Sequence, residues 1–174
     1  SALATARRDR AEVQLYQTRD DPPASPARLA LLGELRQAIG SDQLAMFVQP
    51  QADAQTGEIV AVEALARWQH PSRGLVGPDE FIPLAERTGL IRDLTAQVLA
   101  SALRQCATWR AEGLDLPVAV NLSPRVLGQT DLVSSVRQAL LDAEVPAGRL
   151  TLEITESAFP ENTRLLTRTL APLG

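Results

Sequence analysis

Glu58-Ile59-Val60-Ala61-Val62-Glu63-Ala64-Leu65-Ala66-Arg67-Trp68 is the stretch on which the fold turns. It reads as a strand, and side chains of a strand alternate between its two faces. Ile59, Ala61, Glu63, Leu65 and Arg67 share one face; Val60, Val62 and Ala64 share the other. One face is greasy and suited to packing under helices. The opposite face carries a carboxylate and a guanidinium.

Upstream, 44–49 reads as a second strand, and only Asp53-Ala54-Gln55-Thr56-Gly57 and its immediate neighbours separate the two. A parallel crossover needs roughly a dozen residues or more, so this pair is expected to be antiparallel. Downstream the pattern changes. Pro71 and Pro78 frame a loop with Gly74 and Gly77, and helices are expected at 79–87 and 91–112, the second ended by Gly113. A strand at 117–123, a helix at 132–143, a strand at 149–156 and a helix at 162–170 follow. Strands alternating with helices imply parallel βα units and an α/β class.

The two later strands repeat the two-faced pattern. Ala119, Asn121 and Ser123 oppose Val118, Val120 and Leu122. Thr151, Glu153 and Thr155 oppose Leu150, Leu152 and Ile154. Glu63, Asn121 and Glu153 thus place a carboxylate, an amide and a carboxylate on the polar faces of three successive parallel strands, toward their C-terminal halves. In an α/β barrel that position is the catalytic rim. Oxygen ligands without His or Cys favour a hard cation, Mg²⁺, Mn²⁺ or Ca²⁺. Taken singly, each residue also has a structural reading. Glu63 suits a solvated or ion-paired strand position, Asn121 a turn or cap before Ser123-Pro124, Glu153 a charged strand end, and Arg67 a structural bridge to a carboxylate. His70 reads as a loop residue, Cys106 as a filler on a helix face, and Trp68 and Trp109 as packing aromatics. Convergence on three strands favours the functional reading.

At the N-terminus, Val13, Leu15 and Tyr16 alternate as a short strand does. Asp20-Asp21-Pro22-Pro23-Ala24-Ser25-Pro26 reads as a linker, with Ser25 as N-cap and Pro26 as first helical residue. A helical stripe through Leu29, Leu32, Leu35 and Ile39 closes at Gly40. The expected division is residues 1–25 as the tail of a preceding domain plus linker, and 26–174 as the main domain.

Composition bounds the chemistry. The 174 residues carry 17 basic and 21 acidic side chains, for a net charge of −4. An acidic chain argues against sequence-independent binding to DNA or RNA, which needs a basic surface. One cysteine excludes an intrachain disulfide and fits a reducing compartment. One histidine excludes a multi-histidine zinc site. All the basic residues are arginine, so no mechanism that requires a lysine is complete within these residues. No apolar run approaches the ~20 residues of a membrane span, and no signal peptide is visible. The expected location is the cytoplasm, with no membrane contact by this segment.

Glu63-Ala64-Leu65, followed by Ala66-Arg67-Trp68, resembles the motif that names the EAL family of cyclic-di-GMP phosphodiesterases. Four further blocks carry the resemblance: Gln49-Pro50; Phe81-Ile82-Pro83-Leu84-Ala85-Glu86 with Gly89-Leu90-Ile91; Val120-Asn121-Leu122-Ser123; and Leu152-Glu153-Ile154-Thr155-Glu156-Ser157. The resemblance runs from about Leu35 to Gly174. It implies a TIM-like (β/α) barrel with an antiparallel first strand, present as roughly its first half. It implies that Glu63, Asn121 and Glu153 coordinate Mg²⁺ or Mn²⁺, and that Glu156 supports an active-site loop. By the same resemblance Gln49 and Arg67 contact the substrate phosphate, and Leu65 lies against bound cyclic di-GMP. The family pattern continues past Gly174 into paired aspartates and a catalytic lysine, so the 174 residues are expected to be inactive alone and to associate as homo-oligomers. Residues 1–20 more weakly resemble the tail of a GGDEF domain. The implied activity of the parent protein is hydrolysis of cyclic di-GMP to linear pGpG. The competing reading is a catalytically inactive EAL module that senses cyclic di-GMP or serves in dimer contacts.

Overall fold

β1, Leu44–Ala52, and β2, Ile59–His70, form an antiparallel hairpin whose register runs from Leu44 opposite Trp68 through Gln49 opposite Glu63 to Gln51 opposite Ala61. These are coordinates of a computed structural model, which describes residues 25–127 and 131–154. The alternation at Val13–Tyr16, the helix expected at 162–170, and Glu156 lie outside the described residues. The hairpin connection is built by Asp53. Its Oδ1 accepts the backbone N–H groups of Thr56 at 2.8 Å and Gln55 at 2.9 Å. These bonds, that of Thr56 first, hold the Asp53 carboxyl below its ordinary value. Gly57, at φ 74°, supplies the left-handed residue that returns the chain into β2. The expected antiparallel pair is therefore present, and longer at its outer end than the apolar pattern alone suggests.

The chain divides into two units, Ser1–Gly33 and Glu34–Gly174. Helix α1, Pro26–Ala38, begins in the first. There Ser25 caps it as its sequence position requires, Oγ accepting the Arg28 N–H at 3.3 Å. All that follows belongs to the second unit.

The loop expected between Pro71 and Pro78 contains a short strand. β3, Gly74–Val76, folds back antiparallel on the end of β2, with Val76 opposite Trp68 and Gly74 opposite His70. Three residues are too few to show a period. The φ of 71° at Gly74 lets the chain reverse there. His70 is correspondingly not a loop residue. It ends β2 on the face of Val62, Ala64 and Trp68 and is buried. Its Nδ1 accepts the Ser72 N–H at 3.2 Å, so Nε2 carries the proton and donates to Glu34 Oε2 at 3.0 Å.

Helices α2, Pro78–Thr88, and α3, Ile91–Ala111, connect β2 to β4, Val118–Leu122. Helix α4, Leu132–Asp142, leads on to β5, Leu150–Ile154. Both crossovers are parallel: Glu63 lies level with Ala119, and Asn121 with Glu153. The sheet order is β1-β2-β4-β5, with β3 beside β2. A mixed sheet opened by an antiparallel strand and continued by βα units is the arrangement the pattern of faces implies.

The greasy faces of β2, from Val62 on, and of β4 pack under the helices, whereas Val60 is exposed and Leu150, Leu152 and Ile154 of β5 are half-buried. Trp68, Phe81, Leu94, Leu103, Cys106, Val118, Val120 and Val136 are all buried. Trp68 meets Phe81 edge-on at 6.2 Å between ring centroids. Cys106 is the expected filler: its thiol points to the Leu116 carbonyl at 3.6 Å, and burial pushes it up from its ordinary value. Among the described residues, no helix is long and apolar enough to cross a membrane.

Candidate active site at the strand ends

Glu63, Leu65 and Arg67 share a face of β2 because they are two residues apart. Antiparallel pairing sets Gln49 beside Glu63, Phe47 beside Leu65 and Ala45 beside Arg67. On β4, Asn121 lies one inward step beyond the residue level with Glu63, and its side chain closes the gap. Asn121 Nδ2 donates to Glu63 Oε1 at 2.6 Å. Asn121 is also level with Glu153 on β5. The amide thus stands between the two carboxylates.

The sheet curves enough for its outer strands to face one another. β1 and β5 stand at opposite ends of the strand order, yet Gln51 Nε2 lies 3.5 Å from Glu153 Oε1. The polar faces therefore line a concave interior. Gln51 is a site-lining residue that sequence reasoning passed over. The signal was available, since Gln51 follows Gln49 at the same-face interval.

Arg67 Nη1 donates to the neighbouring Ala66 carbonyl at 2.9 Å. Among the described residues it joins no carboxylate, so the structural-bridge reading of Arg67 has no partner here. Beside it opens a cleft of about 660 Å³. Leu65, Arg67, Asn121, Ser123, Ile82 and Glu86 are among the residues that line it. The cleft gathers Leu65, Arg67 and Asn121. Glu63, Gln49 and Glu153 stand outside its lining and are tied to it through Asn121 and the strand register. Glu86 and Ser123 also belong to the cleft. Both sat in sequence blocks noted above, but nothing local assigned them a task.

The donor set suits a hard cation: two carboxylates and an amide oxygen, with neither sulfur nor imidazole. Among the described residues, no group of three or more His, Cys, Asp and Glu side chains converges. The 2.6 Å hydrogen bond from the Asn121 amide nitrogen to Glu63 places the two side chains side by side.

Comparison with known proteins follows the same line. The family model for the EAL domain matches residues 32–174. The bifunctional diguanylate cyclase/cyclic di-GMP phosphodiesterase MucR of Pseudomonas aeruginosa is 46% identical over 131 residues, covering 75% of this chain and 19% of that protein. The cyclic di-GMP phosphodiesterase PdeR of Escherichia coli is 40% identical over 131 residues, covering 75% of this chain and 20% of that protein. Among solved structures, the PaMucR phosphodiesterase in its c-di-GMP complex is similar at TM-score 0.77 and 42% identity, over 83% of this chain and 60% of that one. The chain therefore spans about a fifth of the length of these curated relatives.

Proposed function

The chain belongs to the EAL domain family, and from that premise we propose that the protein carrying it hydrolyses cyclic di-GMP to linear pGpG in the cytoplasm, using Mg²⁺ or Mn²⁺. The observation that supports this most directly is the meeting of Glu63 and Asn121 at 2.6 Å, with Glu153 level with Asn121. Glu63, Asn121 and Glu153 are the residues to hold the cation. Bound there, a divalent cation would supply Lewis-acid activation of water and charge stabilisation at the phosphate. Arg67, free of a carboxylate among the described residues, neutralises the non-bridging phosphate oxygens. Gln49, beside Glu63, donates its amide to the same phosphate. Leu65 offers an apolar surface to the dinucleotide.

The test is hydrolysis of cyclic di-GMP by the full-length protein, followed as pGpG formation with and without Mg²⁺ or Mn²⁺. Arg67→Ala should raise KM and lower kcat together, by about tenfold or more, because a charge-assisted contact is lost in both ground and transition states. Binding without turnover by the wild-type protein would favour the sensor reading instead. No binding at all would overturn both.

A polypeptide of only these 174 residues would match 60% of the length of the solved PaMucR phosphodiesterase chain. Among the described residues, β1 and β5 each pair on one side only. Exposed strand edges recruit other strands. We expect such a polypeptide to form no pGpG and to self-associate at micromolar concentration. Sedimentation decides the second point: a compact monomer of 18.8 kDa would contradict it.

A further inference from the structure

Asn121 is held on one side by Glu63, but the strand that carries it ends one residue later, at Leu122. What fixes that strand end is Ser123. Its Oγ accepts the Arg125 N–H at 3.2 Å, capping the 3-10 turn Pro124–Val126. The same hydroxyl donates to Glu86 Oε1 at 2.7 Å, within the range of a charge-assisted bond. The Ser123 proton is thereby committed to a carboxylate on α2. Ser123 is the first residue beyond β4 and lies two residues along the chain from Asn121, so a tie at Ser123 bears on the aim of Asn121. Glu86, Ser123 and Asn121 line the same cleft.

We propose that Glu86 is a positioning residue: through Ser123 it holds the end of β4 so that Asn121 stays aimed at Glu63. The proposal rests on the reading of Asn121 as part of the cation site. Glu86 itself makes no hydrogen bond to Asn121 or Glu63; its effect passes through one hydroxyl. Supporting groups of this kind typically change metal affinity or activity by about 10- to 100-fold when removed.

The experiment uses the full-length protein with Glu86→Ala, Glu86→Gln, Ser123→Ala and the double variant Glu86→Ala/Ser123→Ala. Three quantities are read: kcat for cyclic di-GMP, the Mn²⁺ concentration at half-maximal activity, and the NMR shift of the Asn121 side-chain amide. Glu86→Ala and Ser123→Ala should each lower kcat and raise the Mn²⁺ requirement by about 10-fold or more, and displace the Asn121 amide resonance. The double variant should be no worse than either single one. Glu86→Gln retains a carbonyl to accept the Ser123 proton, so it should recover to within about fivefold of wild type and return the resonance. A Glu86→Gln as damaging as Glu86→Ala would mean that the charge acts directly, and would overturn the positioning role. An unmoved Asn121 resonance in Ser123→Ala would overturn it equally. Should the wild type not hydrolyse cyclic di-GMP, the proposed function fails, while the resonance still decides whether Glu86 positions Asn121.

Discussion

Glu63→Gln in the full-length protein should abolish measurable hydrolysis of cyclic di-GMP while leaving the fold intact. The substitution keeps the size of the side chain and an oxygen that can accept the Asn121 Nδ2 proton, now at 2.6 Å from Glu63 Oε1. What it removes is the negative charge that draws a hard cation to this end of β2. If charge stabilisation worth about 4 kcal/mol is lost, turnover falls by roughly 10³-fold. The control is thermal: a surface-neutral change of under about 1 kcal/mol moves the melting temperature of a domain this size by only about 2–4 °C. Loss of activity with an unchanged melting temperature is the expected pair of results. Wild-type turnover at low Mg²⁺ would show that Glu63 does not hold the cation.

Trp68→Ala should produce the largest loss of stability. Trp68 is 0% exposed, edge-on to Phe81, and 4.8 Å from the His70 ring. Its Nε1 donates to Gln43 Oε1 at 3.3 Å. Truncation removes the indole, leaves a cavity between β2 and α2, and strands the Gln43 acceptor. Large-to-small changes of this kind cost about 3–5 kcal/mol, a large part of the roughly 5–15 kcal/mol that holds a domain together. Urea denaturation should show a midpoint lowered accordingly. Trp68→Phe, which refills most of the volume, should lose much less. A change below about 1 kcal/mol for Trp68→Ala would mean that this corner of the core collapses around the gap. Glu63 and Arg67 sit on the same strand as Trp68 with opposite parity, so the anchor of β2 is also the support of the site.

Much of this was readable from local pattern. The six-residue connection between β1 and β2 is too short for a crossover, so the antiparallel pair follows from chain length. The faces of β2, β4 and β5 follow from the two-residue period. The helices follow from their stops: Gly89 and Gly113 take positive φ just after α2 and α3. β3 was not readable, because its three residues are held by backbone pairing to β2 rather than by side-chain pattern. The apolar pattern of β2 stops at Trp68, so His70 reads from sequence as a loop residue. Yet the strand persists to His70, and the imidazole is satisfied by Glu34 and by Ser72.

Taken alone, the sequence determined which side chains share a face, because alternation depends only on neighbours along the chain. That suffices to send Glu63, Asn121 and Glu153 to one side of a parallel sheet. The tertiary structure decided who meets whom. Strand register sets Gln49 beside Glu63 and Asn121 level with Glu153. Sheet curvature carries Gln51 to Glu153 across the strand order, and the docking of α2 brings Glu86 to Ser123. Such contacts join residues far apart in sequence. They depend on the summed twist and packing of every element between them, which no local period encodes.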